Sequence, residues 1–126
     1  MKPVLKYGLF IATLSLSVMT STCYAKNVSV QQFWQLQQQQ PNVIIDVRTA
    51  AEFNDGHLYS AINIPYQQIA TIVTHYPDKA QPILLYCKSG RRAEIAATAL
   101  EKLGYTAIYN GLNYKKLKSA QPLPTP

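Results

Sequence analysis

Apolar and polar positions along this chain switch between two periods, and the switches mark out its elements. Val43-Ile44-Ile45-Asp46-Val47 is an apolar run broken only by Asp46, the pattern of a parallel strand buried on both faces. Ile83-Leu84-Leu85-Tyr86 repeats it, Ala61-Ile62-Asn63-Ile64-Pro65 is a shorter strand, and Thr106 to Tyr109 closes the series. Helical patterns fill the gaps. Ser29-Val30-Gln31-Gln32 has the form of a capping box, so Ser29 starts a helix that turns Val30, Phe33, Trp34 and Leu36 to a core and stops at Pro41. The glutamines from Gln37 to Gln40 form the solvated end of that helix. Thr49-Ala50-Ala51-Glu52 is a second capping box, opening a short helix just past the first strand. A helix is predicted over Tyr66 to Tyr76. Another follows Cys87, carries Ile95, Ala96, Ala99, Leu100 and Leu103 on one side, and ends at Gly104. A short helix near Leu112 to Lys118 precedes a Pro-rich tail, residues 121–126, expected to be disordered. Strands alternating with helices predict an α/β fold: a parallel sheet with helices on both faces and a site at the carboxyl ends of the strands.

The first 25 residues have the composition of an export signal. Lys2 and Lys6 form a basic start, Tyr7 to Met19 is mostly apolar, and Thr20 to Ala25 is short and polar with Ala25 at a suitable cleavage position. The apolar stretch falls short of the roughly 20 residues a spanning helix needs, so cleavage and a periplasmic location are expected, with no stable membrane anchor. Thr20-Ser21-Thr22 before Cys23 makes a poor lipid-attachment signal. Removal of residues 1–25 leaves 101 residues, enough for one core and one domain, and lowers the net charge from +6 to +4. The remaining cations gather at the Cys87 loop and the C-terminal segment without interleaved aromatics, which disfavours nucleic acid and suits a small anion.

Cysteine count sharpens this picture. With Cys23 in the leader, Cys87 is alone in the processed chain and cannot form an internal disulfide. An unpaired thiol in an oxidising compartment is a liability unless it is used. Its setting suits use: a strand ends at Cys87, the loop Lys88-Ser89-Gly90-Arg91-Arg92 follows, and a helix begins there. Loop amides, the positive helix end and three cations all favour a sulfur anion, making Cys87 the candidate nucleophile.

These residues resemble the rhodanese family of sulfurtransferases, and within it the small single-domain exported type. One signature runs Asp46-Val47-Arg48, Glu52-Phe53, Gly56-His57-Leu58 and Ala61-Ile62-Asn63-Ile64-Pro65; the other is Cys87-Lys88-Ser89-Gly90-Arg91-Arg92 with Ala93, Ala96 and the Leu100 to Gly104 helix end behind it. The resemblance covers about Val28 to Lys118 and implies a rhodanese-like domain over residues 26–120. It implies that Cys87 takes the outer sulfur of thiosulfate as a persulfide and passes it to cyanide or a thiol, with no cofactor and no metal. Lys88, Ser89, Gly90, Arg91 and Arg92 would bind the substrate. Asp46, Arg48 and Glu52 would order the loops beside the site, and His57 would pack or hydrogen-bond rather than act as a base. Many members carry a glycine-rich segment and then a tryptophan after the last strand, where this chain has Asn110-Gly111-Leu112-Asn113-Tyr114.

Two rival functions share these features. A cysteine phosphatase or arsenate reductase needs five residues between the cysteine and a clamping arginine, and Ala93 occupies that arginine's place. The intact cysteine and cationic loop weigh against a non-catalytic partner-binding module, whereas a persulfide carrier has the same sequence features as the enzyme. The physiological acceptor and the oligomeric state stay open, a monomer being compatible, and transfer to an acceptor calls for an exposed site.

Overall fold

The computed structural model describes residues 24–124 together with Lys2, Pro3 and Ser17. The rest of the leader, Cys23 included, and Thr125 and Pro126 lie outside the described residues. The elements are β1 (Lys26–Asn27), α1 (Val30–Gln39), β2 (Val43–Asp46), α2 (Ala50–Asp55), β3 (Ala61–Asn63), α3 (Ile72–His75), β4 (Ile83–Cys87), α4 (Arg91–Lys102), β5 (Ile108–Asn113) and α5 (Tyr114–Ser119). The five strands form one sheet in the order β1-β5-β4-β2-β3, and every pairing is parallel. Among the described residues no helix is long and apolar enough to cross a membrane.

Side-chain alternation divides the core. Val43, Ile45, Ile83, Leu85 and Cys87 point to one face, where Ala93, Ala96, Ala97 and Leu100 of α4 meet Ile69 and Ile72. Ile44, Leu84 and Tyr86 point to the other, where Phe33, Trp34 and Leu117 cover them. Burying each large side chain fully contributes about 1.5–3 kcal/mol, and both faces of the two central strands are filled in this way. β4 ends at Cys87 on the α4 side, and the chain then turns directly into that helix.

Both predicted capping boxes are present. Gln32 N donates to Ser29 Oγ at 3.1 Å and Ser29 N to Gln32 Oε1 at 2.9 Å, while Thr49 and Glu52 make the same reciprocal pair. Three predicted elements need correction, and one strand is added to them. Tyr66 to Tyr76 forms a 3-10 turn at Tyr66–Thr71 running into α3, because i, i+3 spacing stacks Ile69 over Ile72 against the core. The packed face of α4 centres on its alanines, which let the helix approach the sheet closely, so Ile95 (44% exposed) and Leu103 (36%) are left outside. The last strand runs to Asn113, with the following helix starting at Tyr114 rather than Leu112. The two-residue β1, absent from the predicted elements, pairs Lys26 with Tyr109 and Asn27 with Asn110 at the sheet edge. Beyond α5, Gln121–Pro124 continue as irregular chain, with Gln121 and Pro122 half-buried beside Trp34.

Candidate active site

Three carboxyl-end segments meet around Cys87. The first leaves β2. Asp46 and Arg48 are both buried, and Asp46 Oδ2 accepts from Arg48 Nη2 at 2.6 Å while Oδ1 accepts from Arg48 Nε and its backbone N–H, each at 2.9 Å. Arg48 Nη2 also donates to the Gly56 carbonyl at 2.7 Å, and Asn63 Nδ2 donates to the carbonyls of Asp46 and Arg48 at 3.0 Å. Burial works against the charge on Arg48, but the Asp46 carboxylate more than offsets it and the guanidinium is held more basic than usual. Its flat face lies 4.0 Å from the Tyr114 ring centre, and that ring stacks on Tyr86 at 5.8 Å. Burial pushes the Tyr86 hydroxyl well up, so it stays neutral and accepts from Leu58 N–H at 3.1 Å.

The second segment is α2. Glu52 Oε2 accepts from Thr49 N–H at 2.9 Å and from Arg92 Nη1 at 2.7 Å, while Oε1 accepts from Arg92 Nη2 at 2.9 Å. Arg92, helped by the Thr49 cap, holds the Glu52 carboxyl down at about 2, against an ordinary 4.5. Arg92 is raised in turn, chiefly by Glu52 and to a smaller extent by Cys87. This fork-to-fork pair ties the start of α4 to the start of α2 across 40 positions of sequence.

The third segment is the cysteine loop. Gly90, with φ of +106°, donates its N–H to Cys87 Sγ at 2.9 Å. Its carbonyl accepts the first α4 bond from Glu94 N–H at 2.9 Å. The left-handed φ and a close neighbour both demand glycine, since a Cβ at this position would stand 2.8 Å from Leu112 Cδ2. Lys88, Ser89 and Arg91 are exposed and line the loop's outer side.

Two expectations change here. Arg92, read as a substrate-binding cation, has both terminal nitrogens engaged by Glu52; Lys88 and Arg91 make no ion pair among the described residues. The exposed site required for transfer is found in the loop but not at the sulfur-bearing residue, because Cys87 is 0% exposed beneath it. His57 stacks on Phe53 at 3.8 Å and Nδ1 lies 2.9 Å from the Phe53 carbonyl, with no bond to the cysteine loop among the described residues. No three His, Cys, Asp or Glu side chains come together as a metal site among the described residues.

The sequence reading missed Asn110 and Leu112. β4 and β5 pair Leu85 with Asn110 but Cys87 with Asn113, so β5 carries one extra residue, a bulge opposite the nucleophile strand's end. The Asn-Gly dipeptide was the available signal, since it marks a backbone irregularity, but its position beside Cys87 depends on strand register.

Residues 29–112 match the rhodanese-like domain family, a span that includes the Asp46–Arg48 and Glu52 segment and the cysteine loop. The chain belongs to that family. It is 35% identical over 74 residues to the thiosulfate sulfurtransferase PspE of Escherichia coli (strain K12), covering 58% of this chain and 71% of PspE. It is 28% identical over 85 residues to the thiosulfate sulfurtransferase GlpE of Shewanella oneidensis, covering 68% and 83% of the two chains. Among solved structures, a rhodanese with anions from E. coli superposes with a TM-score of 0.59 and 34% identity over 64% of this chain and 94% of that one. The rhodanese-like fold is therefore shared through the sheet and the helices that carry the site.

Proposed function

We propose that this rhodanese-like chain is an exported, periplasmic thiosulfate sulfurtransferase that works through a persulfide on Cys87. The observation carrying the proposal is the Gly90 N–H aimed at Cys87 Sγ at 2.9 Å, at the head of a helix and in a cationic loop. A donor so placed stabilises sulfur as an anion, both as the attacking thiolate and as the thiolate that leaves at the end. The thiolate attacks the outer sulfur of thiosulfate. A new S–S bond forms at Cys87, the S–S bond of thiosulfate breaks, and sulfite leaves with the electron pair. Cyanide or a thiolate then attacks the outer persulfide sulfur, and Cys87 departs as thiolate. Lys88 and Arg91 pair with the sulfonate oxygens, while Arg92 fixes the helix start through Glu52.

Ala93 weighs against phosphate-ester chemistry. It belongs to the sheet-facing side of α4, is 0% exposed, and offers no cation to clamp a tetrahedral anion. The names of the two curated relatives support thiosulfate as donor.

The test is intact mass. After incubation with thiosulfate the protein gains one sulfur atom, located on Cys87 by peptide mapping, and addition of cyanide removes it as thiocyanate. Cys87→Ser shows neither gain nor turnover. A Cys87→Ser variant that still forms thiocyanate would overturn the mechanism, and stable loading without catalytic release to cyanide or a thiol would favour a persulfide carrier.

A further inference from the structure

Leu112 has φ of +67°, and among the described residues only Ser60 shares that property without being glycine. A leucine in this region is disfavoured because its Cβ crowds the backbone, whereas glycine adopts the same turn freely. Leucine at this position therefore needs a reason. Core packing does not supply it, since Leu112 is half-buried and belongs to neither of the two apolar clusters. Its side chain lies on Gly90 instead, with Leu112 Cδ2 2.8 Å and Cβ 3.2 Å from the place a Gly90 Cβ would occupy. Gly90 is the residue whose N–H meets the Cys87 sulfur.

One buried amide joins the two. Asn110, 2% exposed, accepts from Leu112 N–H through Oδ1 at 2.9 Å and donates through Nδ2 to the Gly90 carbonyl at 3.4 Å. The bulge in β5 brings these groups opposite Cys87. A glycine at φ +106° has no side chain of its own to hold its peptide in place, so its orientation must be imposed from outside.

We propose that Asn110 and Leu112 are positioning residues that brace Gly90 from behind and keep its N–H on the Cys87 sulfur. Asn110 holds the Gly90 carbonyl and fixes the strained turn; Leu112 fills the space beside Gly90 where a Cβ would stand. The inference rests on the sulfur-transfer reading for its role in turnover, but its geometric content concerns the thiol alone.

The experiment compares wild type with Leu112→Gly, Leu112→Met and Asn110→Ala in the full chain. Alkylation of Cys87 by iodoacetamide is followed against pH by peptide mass spectrometry, beside thermal melting and kcat/KM for thiosulfate. Leu112→Gly needs no strained conformation and folds even if Asn110→Ala does not. The expected result is an alkylation profile displaced upward by roughly half a pH unit or more in Leu112→Gly, because losing an aligned donor disfavours the anion. kcat/KM falls about tenfold, since even partial loss of one donor to a developing anion costs that much. Leu112→Met, which still reaches Gly90, restores both. An unchanged alkylation profile in folded Leu112→Gly would overturn the brace. A displaced profile in a protein whose wild type transfers no sulfur would leave the brace standing and overturn the sulfur-transfer reading.

Discussion

Replacing Glu52 by Gln isolates the ion pair that ties the cysteine loop to α2. Gln is the other residue able to complete a capping box with Thr49, so the helix start survives while the charge facing Arg92 is lost. A carboxyl held at about 2 rather than 4.5 corresponds to about 3 kcal/mol of preferential binding of the charged form. Glu52 and Arg92 are 32% and 25% exposed, however, and solvent screening brings the contribution to about 1–2 kcal/mol. The carboxyl is lowered on folding, so its contribution is complete above pH 4.5 and disappears as pH falls through about 2. Urea unfolding of both proteins from pH 7 to pH 2 measures this. Glu52→Gln should be less stable by about 1–2 kcal/mol at pH 7, a loss of several degrees in Tm for a domain of this size, and the gap should close toward pH 2. A gap that stays constant with pH would refute the ion-pair argument and assign the loss to cap packing. No gap at pH 7 would show that the pair contributes no net stability.

Lys88→Ala and Arg91→Ala each remove a charge available to the sulfonate, and a hydrogen bond to a charged group is worth about 1.5–3 kcal/mol. At least one should lose roughly tenfold or more in kcat/KM for thiosulfate, a loss that shrinks as salt rises; two wild-type values at low salt would leave the anion to the backbone amides alone. Gly111→Ala places a Cβ 2.4 Å from Phe33 Cδ2 and 3.0 Å from Leu117 Cδ1, so overpacking should cost about 1–3 kcal/mol in denaturant unfolding, and unchanged stability would show that α1 and α5 yield freely. Fractionation followed by N-terminal sequencing should find a periplasmic chain beginning near Lys26, and recovery of the unprocessed chain with the membranes would overturn the export reading.

What the sequence settled by itself is what depends on near neighbours. The capping boxes at Ser29 and Thr49 close within four residues, so residue identity decides them without reference to the rest of the fold. The strand pattern is equally local: the apolar runs at β2 and β4 announce burial on both faces, and the position of Cys87 at the end of β4 puts a thiol just before a helix start. Tertiary structure decided everything that needed register. Arg92 belongs to Glu52 only because the parallel pairing of β2 with β4 sets α2 beside α4, and no local pattern separates it from Arg91. Cys87 is buried because the strand that carries it is central, and Ile95 is exposed because alanines, not the larger residues, let α4 settle on the sheet. Asn110 and Leu112 reach Gly90 through a single extra residue in β5, a shift that leaves the composition of the strand unchanged and moves every following side chain relative to the nucleophile.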